Sequence, residues 1–218
     1  MKRWIVIIAT AIVFLSVLIF IMNYSGDPFS DEQIYDTAPD ISLQATDGDV
    51  DAPVQIVEFG DFLCPSCNVW RLNVYPELYD EYIADGDAVF AYSHALFHGE
   101  MSVRAANAVE YVLENEPESY WAFHYGIYDE QANHDHTEPW VSDEFLASLT
   151  ESVTDLNAEN VIDAVNDNQY VEKLGYNMAQ VEDYEVQFTP TIFINNIKIE
   201  DPFDIETIRE VIDHELGQ

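Results

Sequence analysis

The run Val57-Glu58-Phe59-Gly60-Asp61-Phe62-Leu63-Cys64-Pro65-Ser66-Cys67 holds both cysteines of the chain, two positions apart and directly behind an apolar, strand-like segment. A disulfide closing so short a loop removes little entropy from the unfolded chain, so as a structural staple it would achieve almost nothing. With no third cysteine, the pair cannot belong to a larger disulfide framework either. The pairing points to redox chemistry.

Working outward, Val54–Phe59 reads as a buried strand, and Pro65 falls where a helix can begin, because proline suits the first helical turn. The helix is predicted to run through Trp70, Leu72, Val74 and Leu78, bending at Pro76, to about Ala84. Asp85-Gly86 ends it, and Ala88–Tyr92 reads as a second strand. From about Gly99 to Tyr184 apolar residues recur at helical spacing. Val103, Ala106, Val109 and Val112 mark one helix, and Tyr120, Phe123, Ile127 and Tyr128 a second. Phe145, Leu146 and Leu149 mark a third, Val161, Ile162 and Val165 a fourth, and Val171 to Met178 a fifth. Strand character returns at Phe188–Ile194, with Asn195-Asn196 as a tight turn into Ile197–Ile199. Asp204 is placed to cap a last helix carrying Ile205, Ile208, Val211 and Ile212.

The chain has 218 residues, 48% of them hydrophobic and 13% aromatic, enough for an ample core. Its net charge is −35, and two of its seven Lys and Arg are Lys2 and Arg3. No basic stripe exists to neutralise phosphates or anionic lipid, which argues against nucleic acid and against docking on a charged bilayer surface. Such a carboxylate surplus resembles the solvated surface of a protein facing high salt or high external pH. Disorder is the competing reading of that composition, but the density of Tyr, Phe and Trp opposes it.

Trp4 to Met22 is apolar or small apart from Thr10 and Ser16, close to the roughly 20 residues that span a bilayer. The basic flank keeps the N-terminus inside. A cleaved signal peptide is the alternative, but Phe20-Ile21-Met22-Asn23-Tyr24 offers no small-x-small site. Either way the soluble part is expected outside the cytoplasm, where disulfides persist. Residues 23–52, polar and broken by Gly26, Pro28, Pro39 and Gly48, read as an acidic stalk with one short strand at Ile41–Leu43, order beginning near Pro53.

Three features together resemble the DsbA-like thiol-disulfide oxidoreductases: Ala52-Pro53-Val54 leading into Val57-Glu58-Phe59, the Cys64-Pro65-Ser66-Cys67 motif, and Thr189-Pro190-Thr191 before the last hairpin. The resemblance spans roughly residues 53–216. It implies a thioredoxin fold with an inserted α-helical domain, here preceded by a transmembrane helix: residues 1–22 the basic flank and anchor, 23–52 the stalk, 53–98 and 185–218 the two parts of the thioredoxin fold, and 99–184 the helical insertion.

A thiol at a helix N-terminus meets partial positive charge and free N–H groups, so Cys64 is expected to be the nucleophile, with a pKa below the free value of about 8.5. Cys67, a turn further in, would resolve the mixed disulfide. Pro65 starts the helix. Ser66 offers a hydroxyl and an N–H, without the positive charge a histidine would bring. The resemblance places a buried acid at Glu58, suited to relay a proton for Cys67; a solvated carboxylate is the alternative. It also makes Thr189-Pro190 a cis-proline loop against the cysteines, presenting backbone groups to an extended peptide, where an ordinary edge-strand proline is the alternative. Phe62, Leu63 and Phe97 read equally as an apolar rim for unfolded substrates or as core. Glu58 and Asp61, so near Cys64, should raise the energy of its thiolate.

His94-x3-His98 with the cysteine pair could supply four zinc ligands, but at an unsuitable spacing. His124 reads as a packed helix histidine, and His134 and His136 as parts of a polar loop. The leading expectation is therefore an extracytoplasmic dithiol oxidase, a single-pass protein of the cell membrane. It would pass the Cys64–Cys67 disulfide to exported cysteine-containing proteins, with no other cofactor and no metal, and a DsbB-like quinone-linked membrane partner would reoxidise it. A reductase or isomerase on the same scaffold, or a non-catalytic tethered zinc or binding domain, are the competing expectations.

Overall fold

The computed structural model describes residues 32–134 and 139–217. The anchor expected over residues 4–22, the start of the expected stalk and His136 lie outside them. Among the described residues no helix is long and apolar enough to cross a membrane.

The centre of the molecule is β3 (Val54–Gly60), whose run of β-branched and aromatic residues suits a strand covered on both faces. It lies parallel to β4 (Ala88–His94) and antiparallel to β5 (Thr191–Ile194). With β1 (Gln33–Ile34), β2 (Ala45–Gly48) and β6 (Ile197–Lys198) the sheet has the order β1-β6-β5-β3-β4-β2. Alternation along the strands divides the core. Val57, Phe59, Ala91 and Phe193 pack on one face with Val181, Tyr184 and Val186. Ile56, Phe90, Tyr92, Ile192 and Ile194 lie on the other, with Cys67, Trp70 and Leu78. Glu58, in step with Ile56, shares the cysteine-bearing face.

Between β3 and β4 run α1 (Pro65–Asn73), the short α2 (Tyr75–Leu78) and a π-helical turn over Tyr79–Ile83. The predicted bend at Pro76 is present: Pro76 has no N–H to continue the ladder, and the helix breaks at Val74. β4 continues two residues past the predicted end at Tyr92, because Ser93 and His94 pair with Phe59 and Gly60 and are buried.

From β4 to β5 the chain is helical: α3 (Glu100–Asn115), α4 (Tyr120–Gln131), α5 (Asp143–Val153), α6 (Ala158–Asn166) and α7 (Val171–Asp183). Ser142 and Asn157 cap α5 and α6 by accepting from the N–H groups of Phe145 and Glu159. Asp204 caps α8 (Ile205–Glu215), accepting from Thr207 N at 3.2 Å.

The segment before β3 differs from its reading. The strand expected at Ile41–Leu43 is a turn, and the strands are β1 and β2, on opposite edges of the sheet. What orders this polar stretch is hydrogen bonding to α7 and its C-terminal end: Tyr35 Oη donates to Tyr184 O at 2.8 Å, Asp40 N to Gln180 Oε1 at 2.7 Å, and Gln44 Nε2 to Asn177 Oδ1 at 2.9 Å.

Candidate active site

Cys64 occupies the N-cap position of α1, and Pro65 fills the first helical turn. The cap position gives the sulfur the unpaired N–H groups of the helix start. The thiol of Cys64 donates to the carbonyl O of Thr189 at 3.1 Å. Ionisation is favoured by hydrogen bonding from Cys67, then by Thr189 and by the N–H groups of Cys67 and Ser66. Together they overcome the opposing effect of burial and lower the pKa to about 6.

Cys67 is fully buried, and burial pushes its thiol well above the ordinary range, reinforced by its bond to Cys64 and by the charges of Glu58 and Cys64. The two sulfurs are thus unequal: one an acid at the helix entrance, the other a protonated thiol in the core.

Glu58 is buried, at 3% exposure, as the resemblance implied. Burial and then the Cys64 charge raise its pKa well above the usual carboxylate range, against the hydrogen bond of Cys67 and the more distant charge of Arg71. Its Oε1 has no hydrogen-bond partner among the described residues. Arg71 bonds to Asn68 and to Asp129 and lies over the rings of Tyr125 and Tyr128. Tyr92, paired with Glu58 across the strands, meets Tyr128 hydroxyl to hydroxyl at 2.9 Å, and Tyr128 donates to Asp61 O at 3.3 Å. Gly60 makes room for Tyr92, since a Cβ there would come within 2.5 Å of its ring.

The Thr189-Pro190 bond is cis, and the hydrogen bond from Cys64 to Thr189 O shows that this loop lies against the cysteines. Phe62 and Leu63 do not form a rim: at 1% and 6% exposure both belong to the core. Phe62 is drawn in by Tyr92, His94, His124 and Tyr128, whose rings surround it. Phe97 stays exposed, as does Phe188 beside the cis bond.

The sequence reading missed the part played by Asp61. Rather than standing as a bare charge near Cys64, its buried carboxylate accepts from Leu63 N, Phe97 N, Ser102 Oγ and both His98 N and Nδ1. The only signal was a polar residue inside an apolar run. His94 pairs instead with Glu110 at 3.0 Å, so the two histidines do not converge on the cysteines. Among the described residues no group of three or more His, Cys, Asp or Glu side chains is arranged to hold a metal ion. His124 is buried among aromatic rings on α4, and His134 bonds to Glu130 at 2.8 Å.

A central β-sheet with an N-capping cysteine, a second cysteine one turn on and a facing cis-proline defines a thioredoxin-type redox protein. The family profile described as Thioredoxin matches residues 43–214, and the chain belongs to that family as a DsbA-like thiol-disulfide oxidoreductase. It is 33% identical over 178 residues to Disulfide bond formation protein D of Bacillus subtilis (strain 168), covering 82% of this chain and 79% of that protein. It is 30% identical over 210 residues to Probable disulfide bond formation protein D of Bacillus anthracis, covering 96% and 92%. The crystal structure of oxidised BdbD from Bacillus subtilis superposes with a TM-score of 0.80 at 32% identity, covering 85% of this chain and 100% of that one. Chlamydia trachomatis DsbA shares the fold, with a TM-score of 0.70 at 22% identity over 81% and 93% of the two chains. The expectation of a non-catalytic tethered domain gives way to an enzyme.

Proposed function

We propose that the chain is a dithiol oxidase that introduces disulfides into exported proteins, and that it works outside the cytoplasm from a membrane anchor over residues 4–22. The observation that carries this reading is the inequality of the two thiols. An acidic Cys64 is a good leaving group and stabilises the reduced enzyme, which makes the disulfide more oxidising. The names of the Bacillus relatives point the same way.

A substrate thiolate attacks Cys64 Sγ, the Cys64–Cys67 bond breaks, and Cys67 leaves and takes up a proton. Glu58, held protonated by burial, supplies that proton. A second substrate thiolate attacks the substrate sulfur of the mixed disulfide and expels Cys64 as a thiolate. Two electrons pass from the substrate dithiol to the enzyme. Running backwards, the carboxylate of Glu58 takes the proton of Cys67 as it resolves. A DsbB-like, quinone-linked membrane protein then takes the two electrons. Thr189 offers its backbone to the substrate peptide, with the exposed Phe188 beside it and the exposed Phe97 as candidate apolar contacts.

Two measurements test this. Cys67→Ala should capture exported proteins as mixed disulfides through Cys64; a folded variant that captures none overturns the reading. Equilibration with glutathione should give a potential nearer about −120 mV than about −270 mV. A value at the lower end would instead favour a reductase, and efficient reshuffling of a scrambled substrate would favour an isomerase.

A further inference from the structure

The loop between β3 and α1, which delivers Cys64, hangs on one carboxylate. The Asp61 side chain is fully buried and takes hydrogen bonds from Leu63 N at 2.9 Å, Phe97 N at 2.9 Å, His98 N at 3.1 Å, Ser102 Oγ at 2.8 Å and His98 Nδ1 at 2.8 Å. Its own carbonyl receives the N–H of Cys64 at 2.9 Å. The residue that fixes the backbone of the nucleophile is therefore an anion three positions away from it. Left uncompensated, that charge would oppose ionisation of Cys64.

The first turn of α1 offers no cation, and its one arginine, Arg71, is committed to Asn68 and Asp129. The imidazole of His98 is the cation within reach. It sits on Asp61 with 44% of its side chain open to solvent, so it can exchange its proton freely. The charged groups acting on the ring are Asp61 from the β3–α1 loop and Cys64 from the start of α1, while Ser102 of α3 accepts from the His98 backbone N–H.

We propose that His98 is a positioning residue for Cys64: as the protonated partner of Asp61, it lets that carboxylate brace the active-site loop without leaving a net negative charge beside the thiolate. The proposal deepens the proposed function and rests on Cys64 as nucleophile. The doubly charged arrangement opens where Cys64 ionises, near pH 6, and closes as His98 loses its proton. The hydrogen bond to Asp61 holds the His98 pKa above its ordinary 6.5. The influence is reciprocal, so the thiolate in turn makes His98 more basic. It adds to the larger effects of Cys67, Thr189 and the backbone donors.

The test compares Cys64 ionisation, followed by the pH dependence of iodoacetamide labelling at Cys64, in reduced wild-type protein and in the same protein carrying His98→Asn or His98→Arg. Asparagine keeps a donor toward Asp61 without the charge, and arginine keeps the charge. His98→Asn should raise the Cys64 midpoint by about half a unit to one unit, roughly a three- to tenfold smaller thiolate fraction below the midpoint, while His98→Arg stays near the parent. Equal midpoints in parent and His98→Asn, or an equal rise in both variants, overturns the proposal. A measurement that needs no variant is the NMR titration of His98, which should move to lower pH when the wild-type dithiol is oxidised; an unchanged titration also overturns it. Alkylation of reduced wild type at neutral pH reports on the underlying reading. Labelling at Cys64 upholds the nucleophile whatever the His98 variants show, and labelling at Cys67 sinks both.

Discussion

The Cys64 thiol and the Thr189 carbonyl, 125 positions apart in sequence, meet at 3.1 Å. That bond belongs to the protonated sulfur. The donors that stabilise the thiolate are Cys67, Thr189 and the first N–H groups of α1. Thr189 thus acts on both states of the sulfur: its carbonyl accepts from the thiol, and its side chain favours the thiolate. Thr189→Val keeps the shape and the carbonyl and removes the hydroxyl. It should raise the Cys64 pKa from about 6 by about one unit, the size of one lost hydrogen bond to a charged group. The pH dependence of iodoacetamide labelling at Cys64 measures it, and an unshifted profile would deny the hydroxyl any part.

Glu58 carries a stability cost with a definite sign. Its folded pKa lies above its unfolded value, so between the two the folded state binds more protons. Stability is therefore highest below the ordinary carboxylate pKa and is lost as pH rises toward the folded one. Glu58→Leu should stabilise the reduced protein at neutral pH by about 1–3 kcal/mol in urea unfolding and flatten this slope. Glu58→Gln, which cannot exchange a proton, should slow thiol exchange on the order of 10²-fold. A variant as fast as the wild type would remove Glu58 from the relay.

Gly60 is fixed by space. Any Cβ at this position meets the Tyr92 ring at 2.5 Å, beneath the loop that leads to Cys64. Gly60→Ala should lower stability by about 1–3 kcal/mol and slow exchange together, because Tyr92 or the loop must move. Thermal melting and stopped-flow exchange on the same sample would reveal it; loss of neither would show that the ring has room to turn.

Salt should act on the site through the whole-chain charge of −35. The five described Lys and Arg side chains are all committed within the fold. Arg71 is held by Asp129, Arg104 by Asp143 and Lys173 by Glu110; Arg209 is shared by Glu77, Glu81 and Glu206, and Lys198 bonds to the carbonyls of Tyr184 and Glu185. The surplus carboxylate field thus falls on Cys64 with little to offset it until added ions shorten the screening length to about 3 Å at 1 M. The Cys64 pKa should fall as salt is added, and a titration that ignores salt would show that local donors alone govern it.

The sequence carried the cysteine pair and most helices, because each rests on local chemistry or on a short apolar period; the cis-proline loop and the buried Glu58 came from the resemblance of the motifs, the apolar run around Glu58 favouring its burial. Residues 32–52 escaped it, since their order comes from polar contacts to α7, more than a hundred positions away, that leave no hydrophobic rhythm. Phe62 escaped for a related reason: four rings from β4 and α4 decide that it points inward, and none is near it in sequence. Asp61 looked like a liability until its five donors, drawn from three segments of chain, could be seen together.

The two outermost strands, β1 and β2, come from the same stretch of chain, which reaches round to both margins of the sheet. Each is short, two and four residues, and β2 stops at Gly48 with a left-handed backbone. A long exposed strand at the margin of a sheet is a template on which another extended chain can pair. Here the longer strands lie between these short ones, so the sheet offers another chain little edge on which to pair.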